Sequence, residues 1–224
     1  MKKAPTKLER ENISRIKEIQ KVLQSDCVPG SNKHWLECAL EVLQLNNINP
    51  LVYASSMRDS LVNGRGKFRN MILVGPANCA KTFMFKPIKS IFRDKLFENP
   101  SNDKFGWLGA DKASVILLQD FRWKKDSIAW KDMLLLLEGE TVKLPAPKNL
   151  YEGDVVIDKD VAIFATSKAP ITYIGPYNTT NRDEDAMLMV CWNIINFKHQ
   201  FTEEEKKKAK ACGRCFAELA LMAV

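Results

Sequence analysis

Eight residues, Gly75-Pro76-Ala77-Asn78-Cys79-Ala80-Lys81-Thr82, follow a short apolar run, Met71 to Val74, and precede a stretch patterned as a helix. A strand, a Gly-Pro turn and a helix that begins on Lys-Thr form the context in which successive backbone N–H groups can point at a phosphate chain. In such a loop Gly75 to Ala80 supply the cradle, Lys81 reaches the β- and γ-phosphates, and the Thr82 hydroxyl ligates Mg²⁺. Ala80 stands where the pattern has its second glycine, and a methyl group there crowds the phosphate or disfavours a positive φ. Cys79, beside a lysine and phosphates, reads as a small spacer and not as a nucleophile. Pro87 removes a backbone donor and should kink or end the first turn of the helix that follows.

The rest of the chain is consistent with this unit. Met71 to Val74, Val115 to Leu118, Val161 to Ala165 and Ile194 to Phe197 are short apolar runs that alternate with helical stretches, as in a parallel sheet with crossovers. Trp130, Met133, Leu134 and Leu137 lie on one helix face, and Thr141 to Ile157 reads as a long hairpin. Before the sheet, Leu8, Ile13, Ile16, Ile19 and Leu23 make an amphipathic helix that needs a partner, either its own domain or another subunit. Trp35, Leu36, Ala39, Leu40 and Leu43 define a second helix. Asn49 and Pro50 are the N-cap and first turn of a third, which Asn63-Gly64 ends. The expected architecture is α/β: a central, mostly parallel sheet flanked by helices (64–200), a small helical N-terminal subdomain (1–63) and a C-terminal tail (201–224).

Composition narrows the classes. With 224 residues, 46% of them hydrophobic, and only ten Gly and ten Pro, the chain is neither a disordered tail nor collagenous. The apolar runs, Met133 to Leu137 among them, are far too short for a bilayer, and no apolar segment follows Met1-Lys2-Lys3, so a nuclear or cytoplasmic and not a secreted protein is expected. Six cysteines in that setting are read as reduced thiols. The net charge of +7 suits polyanionic partners.

Val115 to Leu118 leads into Gln119-Asp120, where P-loop enzymes place the acidic residues that hold Mg²⁺ and activate water. Only one carboxylate stands there, since Gln119 is neutral and can only hydrogen-bond a metal-bound water. Taken in order, Gly64-Arg65-Gly66-Lys67-Phe68-Arg69-Asn70, Gly75 to Thr82, Leu118-Gln119-Asp120, Leu137-Glu138-Gly139 and Ile163-Phe164-Ala165-Thr166-Ser167-Lys168 resemble the superfamily 3 helicase core. That core is the AAA+ ATPase module of parvovirus nonstructural replication proteins and related mobile elements, and the similarity spans roughly residues 35–200.

The resemblance implies an ATP- and Mg²⁺-dependent DNA helicase or translocase that works as a homo-oligomeric, hexameric ring. Lys81 and Thr82 take the phosphate and Mg²⁺ roles, Asp120 the water-activating and metal-binding one, and Gln119 the first acidic position. Lys168 replaces the asparagine that senses the γ-phosphate; it can contact a phosphate but cannot accept a hydrogen bond from water. Near the last strand, where the family carries an arginine that acts on the neighbouring subunit, this chain has Val190-Cys191-Trp192-Asn193, and the nearest arginine is Arg182. Together with Ala80 and Gln119, these departures support an alternative, a degenerate nucleotide- and DNA-binding module with little or no hydrolysis. A small-molecule P-loop kinase lacks an Arg-rich lid and would have no use for a basic hairpin. With no His-x-His pair and no tyrosine nucleophile helix, any nicking activity is expected outside this sequence.

The family also projects a lysine-bearing hairpin that grips single-stranded DNA. Here Lys143 and Lys148 flank Pro145-Ala146-Pro147, and the competing reading is a solvated basic loop. Arg65, Lys67 and Arg69 form a second basic segment, a surface turn or a DNA contact. Cys212-Gly213-Arg214-Cys215 is half of a zinc motif, for which His199 and Cys191 are the nearby further ligands; a reduced thiol pair is the simpler reading. His34 reads as structural.

Overall fold

In a computed structural model, residues 7–30, 33–101, 103–147, 153–175, 179–205 and 209–222 are described, with side chains from residue 15 onward. The expected α/β fold is present. Five strands, β1 (Asn70–Val74), β2 (Leu96–Glu98), β3 (Val115–Leu118), β6 (Ala162–Ser167) and β7 (Trp192–Asn196), form one all-parallel sheet in the order β2-β3-β6-β1-β7. Every residue of β1, β3 and β6 is buried, as a sheet covered on both faces requires. Edge strand β2 is only partly buried; three residues carry too little periodicity to stand out in the sequence.

The period of two sorts each strand between two cores. Met71, Leu73, Val115, Leu117 and Phe164 face a layer built from α1 (Lys7–Leu23), α2 (His34–Leu45), α3 (Pro50–Asn63), α4 (Lys81–Phe92) and α7 (Gly213–Ala220). Ile72, Val74, Ile116, Leu118 and Ile163 face α5 (Trp130–Glu138), the end of α6 (Arg182–Met189) and the hairpin. That hairpin is the antiparallel pair β4 (Val142–Leu144) and β5 (Val155–Ile157).

Local chemistry explains several boundaries. Asn49 Oδ1 accepts the Leu51 amide at 2.8 Å, with Pro50 at the start of α3. Gly139 ends α5 at φ +91, a value an L side chain rarely tolerates. Helix α4 does not stop at Pro87: it runs on to Phe92 with the proline buried inside it, at the cost of one intrahelical hydrogen bond and of crowding against the preceding turn.

The partner of α1 is its own domain. Ile19 is fully buried, and Arg15 donates to the carbonyls of Leu61 (2.7 Å) and Asp160. Helix α7 packs against α1, α2, α3 and α4, so both ends of the chain share one layer. Among the described residues no helix is long and apolar enough to cross a membrane.

Arg65 corrects the reading of the basic segment. It is 1% exposed, and its guanidinium donates to the carbonyls of Lys159 (2.8 Å), Leu136 (3.1 Å), Glu140 (2.7 Å) and Ile157 (3.1 Å). It is neither a surface turn residue nor a DNA contact: it ties the end of α5 to the hairpin and the start of β6. Burial lowers its pKa, and Asp160, Asp158 and Glu140 work against that shift. Asn70 continues the seam, its two Nδ2 hydrogens shared among the carbonyls of Gly66, Leu137 and Cys191, which lie within 3.0 Å.

Candidate functional site

Because all five strands are parallel, their carboxyl ends share one edge, where open α/β sheets form their binding crevices. The loop after β1, the turn after β3 and the end of β6 meet there around a cleft of about 380 Å³. Its lining includes Ala77 to Phe83, Asp120, Lys168 and Phe201. Lys81, Thr82, Asp120 and Lys168, scattered over 88 positions of sequence, are thus brought to one cavity, with Asp120 its one carboxylate among the described residues.

The loop is tightly built. A Cβ on Gly75 would lie 2.0 Å from the Phe197 carbonyl oxygen, so the first glycine is obligatory. Gly75 N donates to Ser167 O (3.1 Å) and Phe197 N to Val74 O (2.7 Å), which fixes the loop's start between β6 and β7. Asn78 and Ala80 both adopt the left-handed region, at φ +58 and +66. The second-glycine position therefore has the backbone a glycine would choose, and Ala80 bears the strain of its methyl group. Lys81 is 6% exposed and donates to Gly75 O (2.7 Å), Pro76 O (2.6 Å) and Cys79 Sγ (3.2 Å), so its ammonium is held inside the turn of the loop. Thr82 is exposed on the cleft side at the start of α4.

At the end of β3 the two polar neighbours diverge. Asp120, at φ +47, donates its amide to Thr166 Oγ1 at 2.8 Å, and the Phe121 amide donates to Thr166 O, also at 2.8 Å. Gln119 is turned toward β2: its amide donates to Asn99 Oδ1 (2.6 Å) and its Nε2 to Glu98 Oε1 (3.4 Å), and its side chain does not line the phosphate-loop cleft. Glu98 is itself paired with Lys89 at 2.7 Å. Glu98 and Phe201 carry no local signal that marks them as site residues, and Thr166 stands out in the sequence only as part of the strand end that leads to Lys168.

Lys143 is exposed at the centre of β4, opposite exposed Val156, while Val142, Leu144, Val155 and Ile157 point into the core. Lys148 lies outside the described residues. Cys191, at the position where an inter-subunit arginine was sought, is fully buried, and burial pushes its thiol up to about 11. Arg182 is exposed at the start of α6.

The thiol pair read at Cys212 and Cys215, with zinc as the lesser reading, has a third member. Cys212 and Cys215 are joined by Cys27, not by Cys191 or His199: the three thiol sulfurs lie within 4.8 Å of one another. Cys27 sits 185 residues before Cys212, so no spacing motif reveals it. Burial raises the Cys212 thiol, but hydrogen bonds from the Cys215 and Val28 backbone and from the neighbouring thiols bring it below its ordinary value overall.

No family model and no curated protein matches the chain. Among solved structures it is similar to the A-form apo structure of the NrS-1 C-terminal region, at 15% identity and TM-score 0.53, covering 91% of this chain and 48% of that one. It is also similar to JCV helicase bound to a thiazolopyridine acetamide compound, at 12% identity and TM-score 0.54 (85% and 53% covered). A further structure of JCV helicase aligns at 14% identity and TM-score 0.50 (95% and 61% covered). The chain spans about half the length of the structures it matches, and at these identities the likeness is one of fold alone: the fold is like that of the JCV helicase structures.

Proposed function

We propose that this chain is the ATP-binding core of a superfamily 3 type DNA helicase or translocase, acting as a homo-oligomeric ring on single-stranded DNA. The observation that carries the proposal is the convergence of Lys81, Thr82, Asp120 and Lys168 on one cleft at the carboxyl edge of a parallel sheet. Two ammonium groups, a hydroxyl and a loop held between neighbouring strands fit a polyphosphate chelated by Mg²⁺. Bound Mg-ATP would supply the phosphoanhydride whose cleavage drives movement along DNA.

The residues divide that work by their chemistry. Lys81 would exchange its bonds to the Gly75 and Pro76 carbonyls for charge-assisted bonds to phosphate oxygens, which are roughly twice as strong. Thr82 would offer its hydroxyl to the metal. Asp120, fastened through its amide to Thr166, is the cleft's carboxylate for metal and water. Lys168 would neutralise phosphate charge without positioning water, since an ammonium has no acceptor. Lys143, and Lys148 five positions on, would hold DNA phosphates without reading bases.

A second reading, a nucleotide- and DNA-binding module with little hydrolysis, is favoured by two observations. Gln119 is engaged with Glu98 outside the cleft, and Cys191 is buried where an arginine would have to be exposed. Titration of Mg-ATP into the wild-type chain and into Lys81→Ala tests the part that both readings share. Wild type should bind, and Lys81→Ala should bind about 10- to 100-fold more weakly, the scale of one lost charge-assisted contact. Equal affinity for both would reject the site.

A further inference from the structure

Cys27 lies in the connection between α1 and α2, Cys212 is the N-cap of α7, and Cys215 stands in the first turn of that helix. Segments from the two ends of the chain thus deliver three sulfurs to one point, all within 4.8 Å of one another and with Cys27 and Cys215 at 3.8 Å. Thiolates around one zinc ion, at about 2.3 Å and tetrahedral angles, are about 3.8 Å apart, whereas bonded disulfide sulfurs are about 2.0 Å apart. The Cys27–Cys215 separation matches that of two sulfurs on one ion and excludes a bonded disulfide.

The surroundings suit an ion. Three thiolates and one divalent cation carry a net charge of −1, and the Arg214 guanidinium lies 3.9 Å from Cys27 Sγ. The positive end of α7 faces Cys212. Cys27 is half-buried, whereas Cys212 and Cys215 are buried, and a cleft of about 510 Å³ is lined by their sequence neighbours Asp26, Val28, Gly213 and Arg214. Among the described residues no fourth Cys, His, Asp or Glu joins the group.

We propose that Cys27, Cys212 and Cys215 bind one thiophilic divalent cation, with zinc the expected occupant, and that this ion clasps the α1–α2 connection to the C-terminal helix. Soft sulfur ligands select zinc over magnesium or calcium. The site lies apart from the phosphate-loop cleft and shares none of its lining residues, so it stands whether or not the chain hydrolyses ATP.

The test uses the full reduced chain and Co²⁺ as a spectroscopic probe. One Co²⁺ per chain should bind, with the near-ultraviolet charge transfer of cobalt–thiolate bonds and the intense visible bands of tetrahedral cobalt, and Zn²⁺ should displace it. Cys27→Ser, at the half-buried position, should keep its far-ultraviolet circular dichroism and weaken cobalt binding more than about 100-fold, beyond the cost of losing an outer-shell partner. Cys191→Ser, in the opposite core layer, should bind cobalt as wild type does. No thiolate band in the reduced wild type would overturn the proposal, and so would unchanged affinity in Cys27→Ser or equal loss in Cys191→Ser. Zinc-free protein carrying a Cys27–Cys215 disulfide when purified without reductant would overturn it in favour of a redox pair.

Discussion

The amide of Asp120 donates to the Thr166 hydroxyl at 2.8 Å, so the acidic turn after β3 is fastened to the neighbouring strand β6. Thr166 is fully buried and does not itself line the cleft; its contribution is to aim the carboxylate of Asp120, which stands at φ +47. Thr166→Val keeps the shape and deletes the acceptor, leaving the Asp120 amide without its partner at a cost of about 1–3 kcal/mol. Turnover should fall at least tenfold while Mg-ATP affinity changes less than threefold. Single-turnover phosphate release beside equilibrium titration separates the two; a parallel loss of both would mean that Thr166 supports the whole loop and not Asp120 alone.

Ala80 occupies the left-handed region at φ +66. Ala80→Gly removes the methyl group's clash with the backbone, worth about 1 kcal/mol in stability. The urea midpoint should rise with an unchanged m value, and Mg-ATP should bind at least as tightly. A lower midpoint would show that the alanine methyl packs favourably and bears no strain.

Arg65 serves four carbonyls inside the protein. Arg65→Met leaves them without a donor and should destabilise the fold by about 3–5 kcal/mol, a fall in Tm of roughly 10 °C. Arg65→Lys should recover little of this, because one ammonium cannot reach four divergent acceptors. Thermal unfolding of the three proteins checks it; a Tm within about 2 °C of wild type for either variant would refute the hub.

These residues also mark what the sequence reveals. The Gly75 to Thr82 loop and the Asn49 cap are legible because each depends on neighbours within a few positions, and the buried strands because an all-apolar run is a local signal. Arg65 looks like part of a surface run with Lys67 and Arg69, since its acceptors lie 71 to 94 positions away. Cys27 joins Cys212 and Cys215 only after both ends of the chain pack into one helical layer. Gln119 and Asp120 are adjacent, and only the fold tells that one turns toward Glu98 and the other lines the cleft.

Lys143 is exposed on β4 and proposed as a phosphate contact. Lys143→Ala should weaken binding to all single-stranded sequences alike and lower the salt slope of log K by about 0.7, the value for one single-strand phosphate contact. Affinities at several salt concentrations give the slope. Superimposable lines for wild type and variant would return the hairpin to a solvated loop.

A DNA motor of the kind proposed couples phosphate release to the strand it holds. Steady-state phosphate release by the wild-type chain, with Mg-ATP and with or without single-stranded DNA, reads that coupling. Single-stranded DNA should stimulate release and Lys81→Ala should abolish it; a wild-type chain that binds Mg-ATP and DNA yet releases phosphate no faster than Lys81→Ala would rule the motor out.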